Sequence, residues 1–391
     1  MEDVNRLRSD WTYPTPIRFG AGRIVELAAA CRELGMRRPL LVTDCGMAGL
    51  GISRRVHGLL DEAGLAAGVF SDIRTNPTFA HAAQGAALYR DGDHDGVIAF
   101  GGGTAMDAAK AIALSAGQEH PLEAFACFQD TPAIPRLPPI VAVPTTAGSG
   151  AEARHYAVLT CPEARRKRVL CHPGLMPGRV IADPELTINL PPFITAVSGM
   201  NALSHNLEAL CAEVYDPIAD GMAVEGARLA REALPRAYRN GANLSARAHM
   251  MGAAMLGGIA FRKGLGAIQA LADPIGALRE THHGLVAAVL MPYVLVHNRP
   301  AVEPKIARLA AYCGLEGGFD GFLACVLSLR EELGIAHTLR GLGLDEDRLP
   351  ELVEAAAADP FAASNPVPLD AGSIEAIYRR ALEGELSAPE E

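Results

Sequence analysis

Several features that define whole classes of protein are missing from this sequence. Its eight cysteines include no Cys-x-x-Cys pair, so we expect small buried apolar residues rather than disulfide staples. The formal net charge is −10, which argues against the concentrated basic face that sequence-independent nucleic-acid binding requires. One short basic run, Arg165-Arg-Lys-Arg168, is open to two interpretations, an anion site or, more usually for such a run, a solvated turn.

Targeting and membrane-spanning patterns are absent as well. The first residues, Met-Glu-Asp-Val-Asn-Arg, are charged, and no stretch of 18 uncharged apolar residues follows them. The sequence also has no internal repeat and no long low-complexity tract. With 49% hydrophobic residues in 391, the chain can bury a large core in two or three domains of ~150 residues each. We therefore expect a globular cytoplasmic protein that binds neither nucleic acid nor membrane.

The first half of the chain alternates short apolar runs with helical patterns, which is typical of βαβ units and a mostly parallel sheet. The runs at residues 39–44, 68–72, 96–100 and 139–143 predict strands, and residues 54–63, 79–90 and 104–115 predict helices. From about Pro191 onward, long stretches with apolar spacing near 3.6 predict helices only, at 196–214, 220–237, 243–259, 302–312 and 322–332. Leu190-Pro-Pro192 marks the change, so we expect an α/β domain at 1–190 and an all-α domain at 191–391.

Two loops in the first half carry the pattern of a nucleotide site. Gly101-Gly-Gly-Thr-Ala-Met-Asp-Ala-Ala-Lys110 follows a buried strand and begins a helix, where glycines let the backbone approach a pyrophosphate. By itself this loop is equally well explained as a tight strand-to-helix turn. Pro144-Thr-Thr-Ala-Gly-Ser-Gly-Ala-Glu152 follows the next predicted strand, and ligands of open α/β sheets bind at the carboxyl ends of such strands.

Both loops closely resemble the Gly-Gly-Gly-Ser-x-x-Asp-x-x-Lys and Pro-Thr-Thr-Ala-Gly-Thr-x-x-Glu motifs of the iron-containing (group III) alcohol dehydrogenases. The resemblance extends from about Phe19 to Leu382. It implies a Rossmann-like α/β domain followed by a helical domain, as in the related dehydroquinate synthases. It also implies a homodimer and hydride transfer between a nicotinamide cofactor and a small aldehyde or alcohol.

The resemblance assigns cofactor residues position by position. It implies that the pyrophosphate lies against the glycine loop with Asp107 behind it, that Lys167 lies near the nicotinamide ribose, and that Asn76 lies beside the adenosine half. Asp44 matches the ribose-binding acid of the family, where a carboxylate would repel a 2′-phosphate and favour NAD over NADP; a simple turn acid is the alternative. The remaining implied residues are Gly101, Gly102, Gly103 and Thr104 at the pyrophosphate, and Thr145, Thr146 and Ser149 along the nicotinamide half.

The metal-binding stretches of the family are present, but amides replace two of their ligands. The family places Asp and His four residues apart on one helix, two His four apart on another, and one more His in a following loop. Here the corresponding residues are Asn201, His205, Gln269, Asp273 and His283. An anionic ligand and an imidazole are therefore lost from the set that would hold a divalent ion, and we expect much weaker binding of iron, zinc or nickel.

Three functional hypotheses follow. In the first, the protein is a metal-independent reductase in which His205, His283 or both give a proton to the carbonyl, while Asp273 orients an imidazole or accepts the proton. In the second, a shifted metal site uses His205, His283 and Asp273 as a two-His-one-carboxylate set. In the third, the chain binds nucleotide but has lost catalysis and serves a structural or regulatory role.

Further departures from the family pattern suggest where a substrate binds. Arg262-Lys263 stands where the family usually carries Asn-Ala, and Arg154-His155 stands where small or apolar residues are usual. If they face the substrate, they form a cationic patch for an anionic group; if not, these long side chains reach the surface. Tyr156 and Leu265 match positions that line the substrate pocket of the family, although core packing is the more usual role of an aromatic beside a strand.

Overall fold

The structure is a computed structural model that describes residues 15–74, 76–127, 130–134, 136–161, 166–279 and 281–386. Within them the chain divides into two units. One contains the described residues up to Leu190 together with Ala242–Met251, and the other contains Pro191–Gly241 and the chain from Gly252 onward. The sequence predicted one boundary at residue 190. The segment Ala242–Met251 lies instead with the first unit, where the Arg247 guanidinium donates to the Leu190 carbonyl at 3.5 Å.

The first unit is built on a six-stranded parallel sheet with the order β1-β8-β5-β4-β2-β3. Its strands are β1 (Ile17–Phe19), β2 (Pro39–Val42), β3 (Gly68–Phe70), β4 (Gly96–Gly101), β5 (Ile140–Pro144) and β8 (Arg179–Ala182), and β6 (Tyr156–Cys161) and β7 (Arg166–Cys171) form a separate antiparallel pair. The helices of this unit are α1 (Leu27–Glu33), α2 (Cys45–Ala48), α3 (Gly51–Glu62), α4 (Phe79–Asp91) and α5 (Gly103–Ala116).

The three central strands explain where ligand-binding loops can lie. Every residue of β2, β4 and β5 is buried, as expected for parallel strands whose two faces are both covered. Val42 is in register with Ala99, and Gly101 with Pro144, so the three carboxyl ends lie at one edge of the sheet. The loops after β2, β4 and β5 therefore begin side by side.

The predicted fold class is confirmed, and the strands predicted in this half are present at β2, β3, β4 and β5. The edge strand β1, strand β8 and the β6–β7 hairpin were not predicted. The described part of the basic run, Arg166 to Arg168, lies in β7, so the solvated-turn interpretation was wrong there; Arg165 is outside the described residues. Pairing with β6, which sets Lys167 opposite Thr160, outweighs the weak strand propensity of the charged residues.

The second unit is helical. Its described part contains no strand, and its helices are α6 (Pro192–Cys211), α7 (Pro217–Arg239), the later part of α8 (Leu244–Ala260), α9 (Ala267–Arg279), α10 (His283–Tyr312), α11 (Gly318–Glu332), α12 (Leu349–Ala357) and α13 (Ala371–Glu383). Helix α6 packs against α7 and α10, and every residue from Thr195 to Cys211 is buried. A helix that is covered on all sides lies in a core, so the polar side chains of α6 must find partners inside the protein.

Helix α10 is long and apolar enough to cross a membrane. Its most apolar 18-residue window has a mean hydropathy of 1.3, and 72% of that window is buried inside the structure. The core helix of a globular unit has the same properties, so this one helix is weak evidence for a membrane-spanning segment.

Candidate functional site

The turn after β4 requires glycine at position 101 and leaves little room for a side chain at the next two positions. Gly101 has φ of 149°, and a Cβ added to it would lie 2.6 Å from the Ala105 Cβ. Gly102 is the N-cap residue of α5, and a Cβ there would lie 3.1 Å from the Thr146 hydroxyl. A Cβ on Gly103 would lie 2.9 Å from the Ser149 hydroxyl. The absence of side chains thus brings this backbone directly against the second loop predicted from the sequence.

Thr145 lies at the junction of the two loops. Its N–H donates to the Gly101 carbonyl at 2.9 Å, and its side chain is fully buried. The Thr145 Oγ1 and the neighbouring Thr43 Oγ1 are buried oxygens without a hydrogen-bond partner in the part of the chain that the structure describes. Buried hydroxyls nearly always have partners, so these two point to a polar ligand at this edge of the sheet.

Asp44 combines the two roles that the sequence left open. One carboxylate oxygen, Oδ1, caps the four-residue helix α2 by accepting from the Met47 N–H at 2.9 Å. The other oxygen, Oδ2, faces Gly101, since it would lie 3.5 Å from a Cβ added there. A capping residue and a carboxylate directed at the glycine loop are therefore the same side chain.

The other predicted cofactor residues are distributed around the same unit. Thr104 lies in the first turn of α5, and Asn76 precedes α4, next to Pro77, whose carbonyl accepts from the Thr160 N–H at 2.7 Å. Lys167 is opposite Thr160 in the hairpin. All three side chains are partly exposed, as a ligand contact requires.

Asp107 belongs to a buried group of charges. Arg154 lies 3.5 Å from its carboxylate, and each of the two residues is 6% exposed. Burial raises the pKa of Asp107, and the nearby Arg154 and Lys110 oppose that rise. The Lys110 ammonium, fully buried, donates to the carbonyls of Ala151, Arg154 and Tyr156 at 2.5, 2.6 and 3.0 Å, and desolvation lowers its pKa to about 7. These contacts hold the second loop against α5.

The residues of this unit fit a dinucleotide. A glycine loop with little room for side chains, two buried hydroxyls without partners among the described residues, and a carboxylate at the end of the neighbouring strand lie at the carboxyl edge of a parallel sheet. This is the position at which open α/β sheets bind nucleotides.

In the helical unit, His283 at the start of α10 is held at both ring nitrogens. Its Nδ1 lies 3.1 Å from the Asp273 carboxylate, and its Nε2 lies 2.6 Å from the Gln269 Oε1. The Gln269 amide nitrogen donates to the Ser204 hydroxyl at 2.9 Å, and that hydroxyl donates to the backbone carbonyl of Asn201 at 2.8 Å. The predicted residues Gln269, Asp273 and His283 are therefore brought together as one hydrogen-bonded chain.

The directions of these hydrogen bonds determine where the protons lie. Because the Ser204 hydroxyl gives its proton to the Asn201 carbonyl, its oxygen must accept from Gln269. The Gln269 amide then presents its oxygen to His283, and Asp273 presents a carboxylate. Both ring nitrogens of His283 therefore face oxygen acceptors, which favours a ring that can donate a hydrogen bond from each of them.

Asn201 and His205 complete the positions expected from the sequence. Asn201 is 7% exposed, and its Oδ1 lacks a hydrogen-bond partner among the described residues. A Cβ on Gly284 would lie 2.2 Å from the Val197 carbonyl and 3.0 Å from the Asn201 Cβ, so this glycine permits the start of α10 to approach α6. His205 is 3% exposed, with its ring edge-on to Phe261 at 5.7 Å.

This donor set does not fit the divalent ion that the resemblance implies. Two of its positions are neutral amides, and the Nε2 of His283 is hydrogen-bonded to one of them, Gln269. Asp273 lies at the opposite edge of the same ring, so one ion cannot take both Nε2 of His283 and that carboxylate in this geometry. The described residues contain no group of three His, Cys, Asp or Glu arranged to hold a metal ion, and the predicted His205/His283/Asp273 set is not assembled.

The cations expected to form a patch are each paired with a carboxylate. Arg154 pairs with Asp107 as described, Arg262 lies 3.5 Å from Asp216, and Lys263 forms an ion pair with Asp220. Arg154 and Lys263 are also buried, so the expectation that they reach the surface was wrong. Because each charge is balanced by a carboxylate nearby, these contacts give no support to an open cationic patch.

The two remaining substrate candidates occupy different environments. Tyr156 begins β6, is partly exposed, and lies against the His155 ring with 4.1 Å between centroids. Leu265 is 1% exposed, and its carbonyl accepts from the Ser364 hydroxyl at 2.8 Å. Tyr156 is accessible to a ligand, whereas Leu265 is a packing residue.

Three contributing residues were not identified from the sequence. Ser204 and Glu208 lie on α6, which also carries Asn201 and His205, and Lys110 is the last residue of the first loop motif. The Glu208 carboxylate accepts from the Ile268 N–H at 2.6 Å at the start of α9, the helix that carries Gln269 and Asp273. One signal was available for Glu208, since an acid three residues after a site histidine lies on an adjacent part of the helix surface.

Glu208 is expected to make stability depend on pH. Burial raises its pKa from 4.5 to about 8, so the folded protein keeps a proton that the unfolded chain releases. Its contribution is complete below pH 4.5 and is lost as the pH rises through 8, with a slope of up to about 1.4 kcal/mol per pH unit. Glu208→Gln keeps the acceptor for Ile268 without the titration. Thermal unfolding between pH 5 and 9 should show wild type losing stability relative to this variant; parallel curves would contradict the assignment.

Two family models match the two halves of the chain. The model of the iron-containing alcohol dehydrogenase family matches residues 14–184, and the C-terminal model of the Fe-containing alcohol dehydrogenase family matches residues 195–382. A 4-hydroxybutyrate dehydrogenase from Cupriavidus necator is 36% identical over 382 residues, which cover 95% of this chain and 98% of that protein.

Solved structures are similar over nearly the whole chain. The structure of a 1,3-propanediol oxidoreductase has a TM-score of 0.92 and 34% sequence identity, covering 96% of this chain and all of that one. A sulfoacetaldehyde reductase from Bifidobacterium kashiwanohense, solved in complex with NAD+, has a TM-score of 0.87 and 29% identity, covering 97% of this chain and all of that one. The chain therefore belongs to the iron-containing alcohol dehydrogenase family and is an oxidoreductase that acts on CH–OH groups.

Proposed function

We propose that this protein interconverts a small aldehyde and its alcohol with NAD(H), without a resident divalent metal ion. The observation that carries the proposal is the position of His283, whose ring is bound at one nitrogen by Asp273 and at the other by Gln269. In a metal-dependent member of the family, the ring would have an ion at one of these nitrogens. Here the Gln269 amide faces that nitrogen instead of an ion, and the protonated His283 ring serves as the acid that polarises the substrate carbonyl.

The α/β unit supplies the cofactor contacts. The glycine loop and the loop bearing Thr145, Thr146 and Ser149 hold the dinucleotide, and Asp44 accepts from the ribose hydroxyls. NADH, when bound, supplies a hydride to the carbonyl carbon of the substrate.

The helical unit supplies the proton. As the carbonyl oxygen gains negative charge, the His283 Nε2–H leaves its hydrogen bond with the Gln269 oxygen and gives its proton to the carbonyl oxygen, while Asp273 keeps its hydrogen bond with the proton on Nδ1. The ring is left neutral with its tautomer fixed by the carboxylate, and the reverse transfer serves alcohol oxidation. His283 suits this role better than His205, because its side chain is 23% exposed whereas His205 is 3% exposed.

The substrate class is a small compound with a second polar group. The relatives above are named for 4-hydroxybutyrate, 1,3-propanediol and sulfoacetaldehyde, which differ in the charge at the far end of the molecule. Because Arg154 and Arg262 are already paired with carboxylates, we do not assign the anionic end of a substrate to them. A neutral or an anionic far end both fit the proposal.

The test combines metal analysis with turnover. Protein dialysed against a chelator is assayed by NADH oxidation with carboxylate-, sulfonate- and hydroxyl-bearing aldehydes of two to four carbons, before and after addition of iron(II), zinc or nickel. We expect turnover of at least one aldehyde by protein that contains little metal, with no gain on addition. One equivalent of metal whose removal abolishes turnover would overturn the metal-free mechanism. Tight NADH binding without turnover of any aldehyde would favour a nucleotide-binding protein that has lost catalysis.

Cofactor choice is tested by Asp44→Asn. The amide still accepts from the Met47 N–H and preserves the cap of α2, but it no longer repels a 2′-phosphate. We expect the ratio of NADPH to NADH affinity to rise about tenfold, equivalent to about 1.4 kcal/mol, with unchanged thermal stability. Fluorescence titration of both cofactors measures the ratio. An unchanged ratio at unchanged stability would mean that Asp44 is a capping residue only.

A further inference from the structure

Two half-exposed cysteines of the α/β unit lie beside one another, far apart in sequence. Ala126 forms an antiparallel bridge with Leu170 of β7, and the Cys127 N–H donates to the Val169 carbonyl at 2.8 Å. Cys171 is two residues beyond Val169 on the same strand, so its side chain lies on the same face as that of Val169. The bridge and this hydrogen bond therefore place Cys127 beside the end of β7 that carries Cys171.

The two thiols perturb one another, and they are electrostatically unequal. The hydrogen bond from Cys127 lowers the pKa of the Cys171 thiol to about 7, and the same contact, together with burial, raises the pKa of Cys127. Cys171 is thus the more acidic thiol of the pair. An attacking thiolate with a resolving thiol beside it is the arrangement found in redox-active cysteine pairs.

Burial dominates the surroundings of three other cysteines. Cys31, Cys211 and Cys313 are buried, and burial raises the pKa of each. Cys45 is exposed at the start of α2 and serves as a reference for an accessible thiol. Cys127 itself follows the short 3-10 helix Leu122–Phe125 and lies outside any helix or strand, so its side chain can approach Cys171 with little disturbance of the sheet.

We propose that Cys127 and Cys171 form a redox site that a peroxide oxidises reversibly to a disulfide. The Cys171 thiolate attacks one peroxide oxygen, which breaks the O–O bond, forms a sulfenic acid and releases water or an alcohol after protonation. The Cys127 sulfur, losing its proton, then displaces hydroxide from the Cys171 sulfur, forms the S–S bond and releases water. Two thiols lose two electrons in total, and the peroxide gains them. The site is independent of the proposed dehydrogenase function.

The test uses the full chain, reduced, freed of reductant and treated with one equivalent of hydrogen peroxide. Remaining thiols are alkylated under denaturing conditions and the peptides are mapped by mass spectrometry. We expect loss of two of the eight free thiols, a mass decrease of about 2 Da, and a peptide linking Cys127 to Cys171 that dithiothreitol releases. At pH 7 in the untreated protein, Cys171 should alkylate about tenfold faster than Cys45.

Three variants separate the steps. Cys45→Ser should leave the link intact. Cys127→Ser should trap a sulfenic acid on Cys171, detectable with a dimedone probe, and Cys171→Ser should leave Cys127 fully alkylatable after the same treatment. The proposal is overturned if peroxide modifies other cysteines first, or if Cys171 in wild type proceeds to sulfinic acid without forming the link.

Discussion

The double substitution Asn201→Asp with Gln269→His is expected to give a protein that purifies with about one equivalent of iron or zinc, whereas wild type purifies with less than about a tenth of that. The change restores one negative charge and one imidazole to positions that flank His205 and His283. It also removes the Gln269 oxygen that contacts the His283 Nε2, so this nitrogen becomes available as a metal ligand. Asp273 keeps its contact with the other ring nitrogen, Nδ1. A ligand histidine whose other nitrogen bonds a carboxylate is common in metal sites.

The same substitutions should also change thermal stability. Asn201 is 7% exposed, so Asn201→Asp alone buries an uncompensated charge and should lower the Tm. In the double variant, added metal should raise the Tm again. The free energy of unfolding should increase by about 2.7 kcal/mol when free metal is a hundredfold above the Kd. Elemental analysis and thermal unfolding with and without metal measure both effects. Asn201→Asp/Gln269→Leu is the matched control, which lacks the imidazole and should recover far less. Stoichiometric metal in wild type, or no gain in the double variant, would contradict our interpretation of the amides.

Removal of the His283 imidazole should have the largest effect on turnover. We expect His283→Ala to lower kcat for aldehyde reduction by about 10²–10⁴-fold while NADH binding is unchanged, because a positioned acid contributes a factor of this size. His282→Ala is the control, since this neighbouring side chain is exposed. Stopped-flow measurement of NADH oxidation with a saturating aldehyde gives the comparison. Equal losses in both variants would indicate damage to the start of α10 rather than loss of a proton donor.

The variant Asp273→Asn tests whether Asp273 orients the His283 ring or only packs against it. The amide preserves the shape of the side chain, but the protonated His283 ring loses its carboxylate partner. As the pH is raised, reductase activity should therefore be lost at a lower pH than in wild type, while the KM for the aldehyde changes little. A uniform loss at every pH would assign Asp273 a structural role only.

The parts of the fold that were predictable are those in which one segment carries its own signal. The continuous apolar runs of β2, β4 and β5 indicated buried parallel strands, and the structure has them fully buried. The strands β6 and β7 contain charged and polar residues, and each depends on pairing with the other. Pairing between segments is a tertiary property, so their sequences alone did not reveal it.

The candidate site divides in the same way. The glycine loop was recognisable because its conformation forbids side chains. The proximity of Gln269 and Asp273 followed from their helical spacing. What each nitrogen of His283 contacts depends on how α10 begins relative to α9, and no local pattern encodes that. Similarly, the burial of Arg154 depends on Asp107, which comes from a different segment of the chain.

The amide pair also bears on how easily this site can change. Asparagine and aspartate codons differ by a single base, and so do glutamine and histidine codons. The form of the site with two amides and the form with a complete ligand set are thus separated by two such steps, at Asn201 and Gln269. If the metal-free chemistry is correct, the activity of this protein does not vary with the iron supply of its cell, and the genetic distance to an iron-dependent form is as short as two substitutions allow.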